Sequence, residues 1–453
     1  MKYKSTRGDV NGLGFSDALL MGLASDNGLL IPEEIPDVSN ALAEYRTLDF
    51  IGLAQALMPL FIDDIDRATL DHLVSESYAT FAHDEVIGWR QLDNIAVMEL
   101  FHGPTLAFKD IALQLLGKLF QHVLSERGER LNILGATSGD TGSAAIAGVR
   151  GQDNVDIFIL FPEGRISPLQ ELQMTTVPDA NVHCIGVQGS FDDCQRLMKT
   201  VFSDAAYKAK YSLGAVNSVN WARILAQIVY YAYASLRYPD GARFSVPTGN
   251  FGNVFAAYIA QRMGFPIRQL LVATNDNDIL ARFFATGTYA RGDVHQTLSP
   301  AMDIQVASNF ERFLYYHFDE DSARLRRFME EFAQHGEASV GSPPAPSLLN
   351  AMAIGRHETL AAMDSVQAKY GYTLDPHTAV GYAAAQKGGL EDAVVVATAH
   401  PAKFPDAVSE ATGEQPTHPT LEALVNQPTR KDDLAADLDA VKAYVALRAT
   451  TQG

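Results

Sequence analysis

The sequence predicts an α/β protein, with two layered units built on parallel-rich sheets and an additional amino-terminal domain. Three observations carry this expectation. From about Asn94 onward short apolar runs recur, glycine-rich turns follow several of them, and helical patterns follow the turns. Strands that alternate with helices run parallel because the helix returns the chain to the same end of the sheet. With both faces covered, such strands read as unbroken apolar runs.

Residues 1–95 carry helical patterns and the turn Asn27-Gly28-Leu29-Leu30-Ile31-Pro32 but no dense cluster of reactive polar residues, and they are assigned to the amino-terminal domain. The strands that follow are Leu131–Leu134, Asp156–Phe161, Arg243–Pro247, Leu270–Ala273 and Ala393–Ala397. After Gly413-Glu414-Gln415-Pro416-Thr417-His418-Pro419 comes a polar tail. Its spacing of Leu434, Leu438, Val441 and Val445 predicts a terminal helix.

Composition bounds the function. A chain of 453 residues, 47% hydrophobic, divides into two or three domains with sizeable cores. Its net charge of −19 argues against nucleic acid and against acidic lipid, both of which attract positive surfaces. No run approaches the roughly 20 apolar residues of a membrane span. Met1–Gly8 lacks an apolar signal core, so a cytoplasmic location is expected. Two cysteines, Cys184 and Cys194, are too few for a disulfide framework or a cysteine zinc site and read as idle thiols; no metal is expected.

Three segments carry chemistry. In His102-Gly103-Pro104-Thr105-Leu106-Ala107-Phe108-Lys109-Asp110 a lysine stands between an apolar run and a long amphipathic helix. In partly apolar surroundings an ammonium loses hydration, its pKa falls, and the carbonyl-attacking amine is populated. A solvated lysine at a helix start fits the same local sequence.

Two strand–turn–helix units, Thr137–Gly142 and Gly249–Asn253, could direct backbone N–H groups and a helix dipole at an anion. Each is equally a helix cap with a tight turn, and neither matches a P-loop or dinucleotide fingerprint. In Asn217-Ser218-Val219-Asn220-Trp221-Ala222-Arg223, a capping Asn220 would put Arg223 in the first helical turn. A cation there opposes the dipole unless an anion or a surface salt bridge offsets it.

Taken together, these segments resemble threonine synthases of the long, bacterial and fungal type, fold-type II enzymes dependent on pyridoxal 5′-phosphate. Further matching segments are Tyr3–Gly8, Phe15–Ala18, Asp26–Leu29, Ile166–Gln170, Leu298–Asp303, Asp375–Ala379 and Thr398–Phe404. The resemblance implies a large cofactor-binding domain from residues 96–125 and 211–410, a small α/β domain from 126–210, and a carboxy-terminal tail at 411–453. It implies that Lys109 carries the cofactor as a Schiff base and moves protons. It assigns the cofactor phosphate to Gly249, Asn250, Phe251, Gly252 and Asn253, and the pyridine nitrogen to Thr398, whose hydroxyl could otherwise bond the backbone at a strand end.

The implied substrate, O-phospho-L-homoserine, has two anionic ends. Thr137, Ser138 and Thr141 resemble the family's carboxylate loop, whereas Ser218, Arg223 and Asn250 resemble its site for the leaving phosphate, with Thr141 nearby. Asp140 joins the substrate-binding set with its hydrogen-bonding role undecided, and the roles of Arg165, His400 and Lys403 are left open. His102, His377 and His400 are read as structural, since Lys109 suffices for proton transfer. A monomer and a homodimer both fit. The rival readings are a dehydratase or sulfhydrylase of the same fold, a silent sensor of a phosphorylated ligand, and a nucleotide-binding protein.

Overall fold

The computed structural model describes residues 1–137, 139–344 and 348–450. Two sheets organise it. The larger has six strands in the order Leu349–Ala353, Ile267–Thr274, Ala242–Pro247, Ala393–Ala397, Ile95–Glu99 and Gly88–Leu92, parallel throughout except for the last pair. Its central strand shows why the apolar run is unbroken. Val394 and Val396 enter the core beneath helices Lys109–Arg127, Trp221–Ser235 and Gly252–Arg262, while Ala393, Val395 and Ala397 enter a second core beneath Arg356–Tyr370 and Pro376–Lys387. Covered on both faces, the strand has no water-facing position for a polar residue.

The smaller sheet has five parallel strands in the order Asp432–Ala435, Val182–Gln188, Val155–Pro162, Leu131–Ala136 and Leu213–Gly214. Helices Phe191–Ser203 and Leu438–Arg448 close one face through Cys194, Leu197, Val201, Val441 and Val445. The other face, with Ile133, Ile157 and Ile159, joins the main core through helix Asp140–Val149.

The amino-terminal segment packs into that same main core. Tyr3, Leu30, Ile31, Phe50 and Leu53 are buried in it, and the ring of Tyr3 lies 6.3 Å from that of Trp221. The boundary placed at residue 95 runs through a hairpin, because Gly88–Leu92 pair antiparallel with Ile95–Glu99 across Asp93, whose φ is 50°. The tail at 411–453 is likewise no appendage: Asp432–Ala435 extend the smaller sheet. Leu434 lies in that strand, and the terminal helix begins only at Leu438, where Asp437 accepts a hydrogen bond from the Ala440 N–H as its cap. The i, i+4 spacing of Leu434 and Leu438 spans a junction between a strand and a helix, a coincidence that periodicity cannot resolve.

Helix Lys109–Arg127, from the larger unit, and helix Asp140–Val149, from the smaller, cross at two glycines. A Cβ on Gly117 would lie 1.8 Å from the Gly148 carbonyl oxygen, and one on Gly148 would lie 2.4 Å from the Leu113 carbonyl oxygen. The crossing sets the separation of the two helix starts, which carry Lys109 and Asp140. In an exposed helix Gly→Ala stabilises by about 1 kcal/mol. At this crossing Gly117→Ala is expected instead to destabilise by about 1–3 kcal/mol through overpacking, measurable by equilibrium denaturant unfolding.

Candidate functional site

The lysine peptide is held by its own carboxylate. Asp110 accepts hydrogen bonds from the Thr105 N–H at 2.8 Å and the Thr105 hydroxyl at 2.7 Å, and burial pushes its carboxyl up to about 6 against those bonds. Gly103 is required because a side chain there would run into Asp110. Leu106, at φ 60°, turns the chain so that the Phe108 N–H donates to the Thr398 carbonyl and the His400 N–H to the Leu106 carbonyl, at 2.8 and 3.0 Å. Lys109 therefore opens its helix beside the end of the central strand Ala393–Ala397. Its side chain is 11% exposed. Burial lowers its pKa, Asp140 opposes that shift, and Lys403 and Arg223 add to it, which favours the neutral amine.

At the first glycine-rich turn, the Thr137 hydroxyl accepts the N–H groups of Gly139 and Gly142, both at 3.0 Å. Gly139 has φ 143° and lies against Gln170, so only glycine fits. These bonds tighten the turn, and the helix starts at Asp140, ahead of the small-residue run at Ser143. Thr137 and Thr141 line a cleft with Gly142 and Val216. Ser138 lies outside the described residues.

The second turn ends at Phe251, in the left-handed region at φ 64°, with helix Gly252–Arg262 beyond it. Gly249 permits close approach, since a Cβ there would lie 2.9 Å from the Ala301 carbonyl oxygen. First-turn N–H groups have no acceptor within their helix. Asn253 takes the hydroxyls of Tyr230 and Tyr231 on its Oδ1, at 2.5 and 2.7 Å, and its buried Nδ2 has no partner. Asn250 accepts a hydrogen bond on Oδ1 from Ser308 at 3.1 Å, and the Ser308 and Ser218 hydroxyls are 2.8 Å apart.

Asn220 caps its helix as expected, accepting from the Ala222 N–H at 3.0 Å. Arg223 follows in the first turn. It is 4% exposed, its Nε and Nη1 have no partner, and burial draws its pKa down to about 10. The alternative of a surface salt bridge therefore fails: among the described residues no carboxylate pairs with Arg223. An unpartnered guanidinium acting on a buried amine, together with an unpartnered amide and free N–H groups at the start of helix Gly252–Arg262, suits a ligand that carries both an anion and an aldehyde.

The sequence left the hydrogen-bonding role of Asp140 undecided. Its carboxylate accepts from Lys403 at 3.0 Å and Gln170 at 2.9 Å and lies 3.7 Å from Lys109, so it meets two of the protein's own cations. Lys403 is buried, while Arg165 is exposed. The histidines are bound into the scaffold. His377 pairs with Asp375 at 2.9 Å and accepts the Ala301 N–H, His102 pairs with Glu99 at 2.9 Å, and His400 accepts the Ala402 N–H. Burial lowers the His400 pKa to about 4.

Ser308, Asn309 and Arg312 escaped the sequence reading. Asn309 is fully buried and donates to the carbonyls of Ser218 and Asn250, tying the second glycine-rich turn to the segment ahead of helix Trp221–Ser235. Arg312 donates to Asn309 Oδ1 and to the Leu30 and Val219 carbonyls. The one local signal was an asparagine ahead of the apolar-periodic run Phe310–Phe318, a helix-start pattern.

Three family models match parts of the chain. Residues 2–78 match the family "Threonine synthase N terminus", residues 91–400 match "Pyridoxal-phosphate dependent enzyme", and residues 378–445 match "Threonine synthase, C-terminal". The threonine synthase of Pseudomonas aeruginosa is 46% identical over 460 residues, 98% of either chain. The structure of threonine synthase from Brucella melitensis with bound PLP aligns over 100% of both chains at 47% identity, with a TM-score of 0.97. That of threonine synthase from yeast aligns over 99% of this chain and 98% of its own at 39% identity, with a TM-score of 0.92.

A guanidinium buried without a partner is a cost that an apolar side chain removes. Arg223→Met is expected to leave stability unchanged or to raise it by about 1–4 kcal/mol, as read by thermal unfolding without added ligand. A drop of several degrees would mean that Arg223 holds the fold.

Proposed function

The chain belongs to the threonine synthase family of fold-type II pyridoxal-phosphate enzymes, and from that premise we propose how its residues divide the work of the reaction. It converts O-phospho-L-homoserine and water to L-threonine and phosphate with pyridoxal 5′-phosphate as cofactor. The observation that carries the assignment of residues is the buried, unpartnered Arg223 near the depressed amine of Lys109.

When bound, the cofactor supplies an electron-withdrawing ring that lowers the cost of removing protons next to the substrate amine. Lys109 anchors it and, once released, moves protons at Cα, Cβ and Cγ. Its lowered pKa supports this role, because a base must be unprotonated near the working pH. Gly249, Asn250, Phe251, Gly252 and Asn253 would hold the cofactor phosphate with main-chain N–H groups and the free Asn253 amide, and Thr398 would offer its hydroxyl to the pyridine nitrogen. A hydroxyl cannot keep a proton on that nitrogen as a carboxylate would, so Thr398 would leave the ring a weaker electron sink than an aspartate would.

Thr137 and Thr141 orient the substrate carboxylate, together with Ser138 on the strength of the sequence alone. Arg223, Ser218 and Asn250 hold the phosphate as it leaves Cγ. The charge on Arg223 is most favourable when the leaving oxygen becomes negative, in a site from which water is excluded. The smaller sheet unit limits entry of water until addition at Cβ. A cytoplasmic setting is part of the proposal, supported by two free, buried cysteines. Among the described residues, no helix is long and apolar enough to cross a membrane.

Supplied with pyridoxal phosphate and phosphohomoserine, the protein is expected to release threonine and phosphate in equal amounts, assayed together. Lys109→Ala should abolish both products. Arg223→Ala should lower kcat/KM by roughly 10- to 100-fold, the equivalent of the ~1.5–3 kcal/mol of a hydrogen bond to a charged group. Threonine without matching phosphate, or turnover by Lys109→Ala, would refute the assignment.

A further inference from the structure

Among the described residues, Asp140 is the one carboxylate within ion-pair distance of Lys109, and it is shared with a second lysine. Lys403 comes from the turn Pro401–Lys403 after the central strand of the larger sheet, whereas Asp140 begins a helix of the smaller unit. The Lys403 Nζ has three acceptors for its three protons: the Thr105 carbonyl at 2.6 Å, Gln173 Oε1 at 2.9 Å and Asp140 Oδ1 at 3.0 Å. Asp140 Oδ1 also accepts from Gln170 Nε2 at 2.9 Å, and Gln170 and Gln173 lie on the same helix, Pro168–Thr175. One oxygen of the carboxylate is thus fixed by two donors. The other faces Lys109 at 3.7 Å, outside hydrogen-bond range.

We propose that Lys403 is a positioning residue: it draws the Asp140 carboxylate across the junction between the two sheet units and keeps it from closing onto Lys109. The inference rests on Lys109 being the nucleophile. A carboxylate in full contact with Lys109 would hold it as an ammonium, unable to attack a carbonyl or take up a proton. Without a carboxylate, Lys403, Lys109 and Arg223 would face one another as three cations in a buried site. The shared geometry avoids both extremes. The charges agree, since Asp140 is held well below the usual carboxylate range by Lys403 and Lys109 despite its burial, with His377 adding to the effect. Arg223 acts on Lys109 from its own helix, and Asp110 is turned back onto Thr105, whose carbonyl is one of the three Lys403 acceptors.

Loss of Lys403 removes a nearby positive charge and frees Asp140 to approach, and both changes favour protonated Lys109. In the full chain freed of cofactor, labelling of Lys109 by an amine-reactive reagent is measured against exposed Lys199 across pH. Lys403→Met is expected to reduce Lys109 labelling at pH 7 about tenfold, the fold that corresponds to one pKa unit. Asp140→Asn should change it in the opposite direction, and the double variant should return close to the original profile because a neutral pair replaces a neutral pair. The pH at which the visible band of the loaded enzyme changes should move in the same directions.

An unchanged profile in Lys403→Met, or a double variant no different from Lys403→Met, would overturn the proposal. If Lys403→Met does not fold, unchanged labelling in Asp140→Asn would do the same. Failure of the underlying reading has a separate signature: cofactor still fixed to Lys109→Ala after borohydride reduction.

Discussion

The structure depends on how it buries positive charge. Lys403 and Arg223 both act on Lys109 in a protein-lined interior, with Asp140 as the carboxylate shared by the two lysines, and Arg312 is fully buried elsewhere in the core. Taking an ion out of water costs several kcal/mol even after relaxation, so each cation must find acceptors or wait for a ligand. Lys403 and Arg312 find them in carbonyls, amide oxygens and, for Lys403, Asp140. Arg223 leaves two nitrogens unpartnered, and that difference sets it apart from the scaffold cations.

A positive interior in a chain of net charge −19 is no contradiction. Surface carboxylates act through water and salt, which damp them beyond roughly 8–10 Å, whereas the buried cations act at contact distance in a poorly screened medium. Phosphohomoserine has two anionic ends and the cofactor adds a phosphate, so an interior with excess positive charge matches the chemistry. Packing holds the charges in place. The glycine crossing of helices Lys109–Arg127 and Asp140–Val149 sets how far Asp140 stands from Lys109, and helix Pro168–Thr175 supplies both glutamines that hold the shared pair. Relative movement of the two sheet units would therefore change the surroundings of Lys109 directly.

Legibility in the sequence followed the range of the interactions. The Lys109 peptide, the Asn220 cap with Arg223 in its first turn, and the glycine-rich turns are local arrangements, and residue type and spacing revealed them. The buried strands were legible because burial on both faces imposes an unbroken apolar run. Ser308, Asn309 and Arg312 stayed hidden, since apart from the Arg312–Asn309 bond these partners lie between about 60 and 280 residues away in sequence, and no local pattern encodes an acceptor at that distance. Strand Asp432–Ala435 is polar and short, with an exposed edge position, so it lacks the apolar signature by which strands are recognised.

By itself the sequence determined the α/β class, the lysine at its helix start, the two glycine-rich turns and the helix-start arginine, because each is a local pattern with a local physical cause. Tertiary structure decided which charges are buried and which are answered. It made Asp140 a carboxylate shared by two lysines and Lys403 an internal tie rather than a surface charge, and it left Arg223 without a partner. The physical reason is that burial and partnership of a charge depend on groups brought together from distant segments. Such convergence exists only once the two sheets have packed against each other.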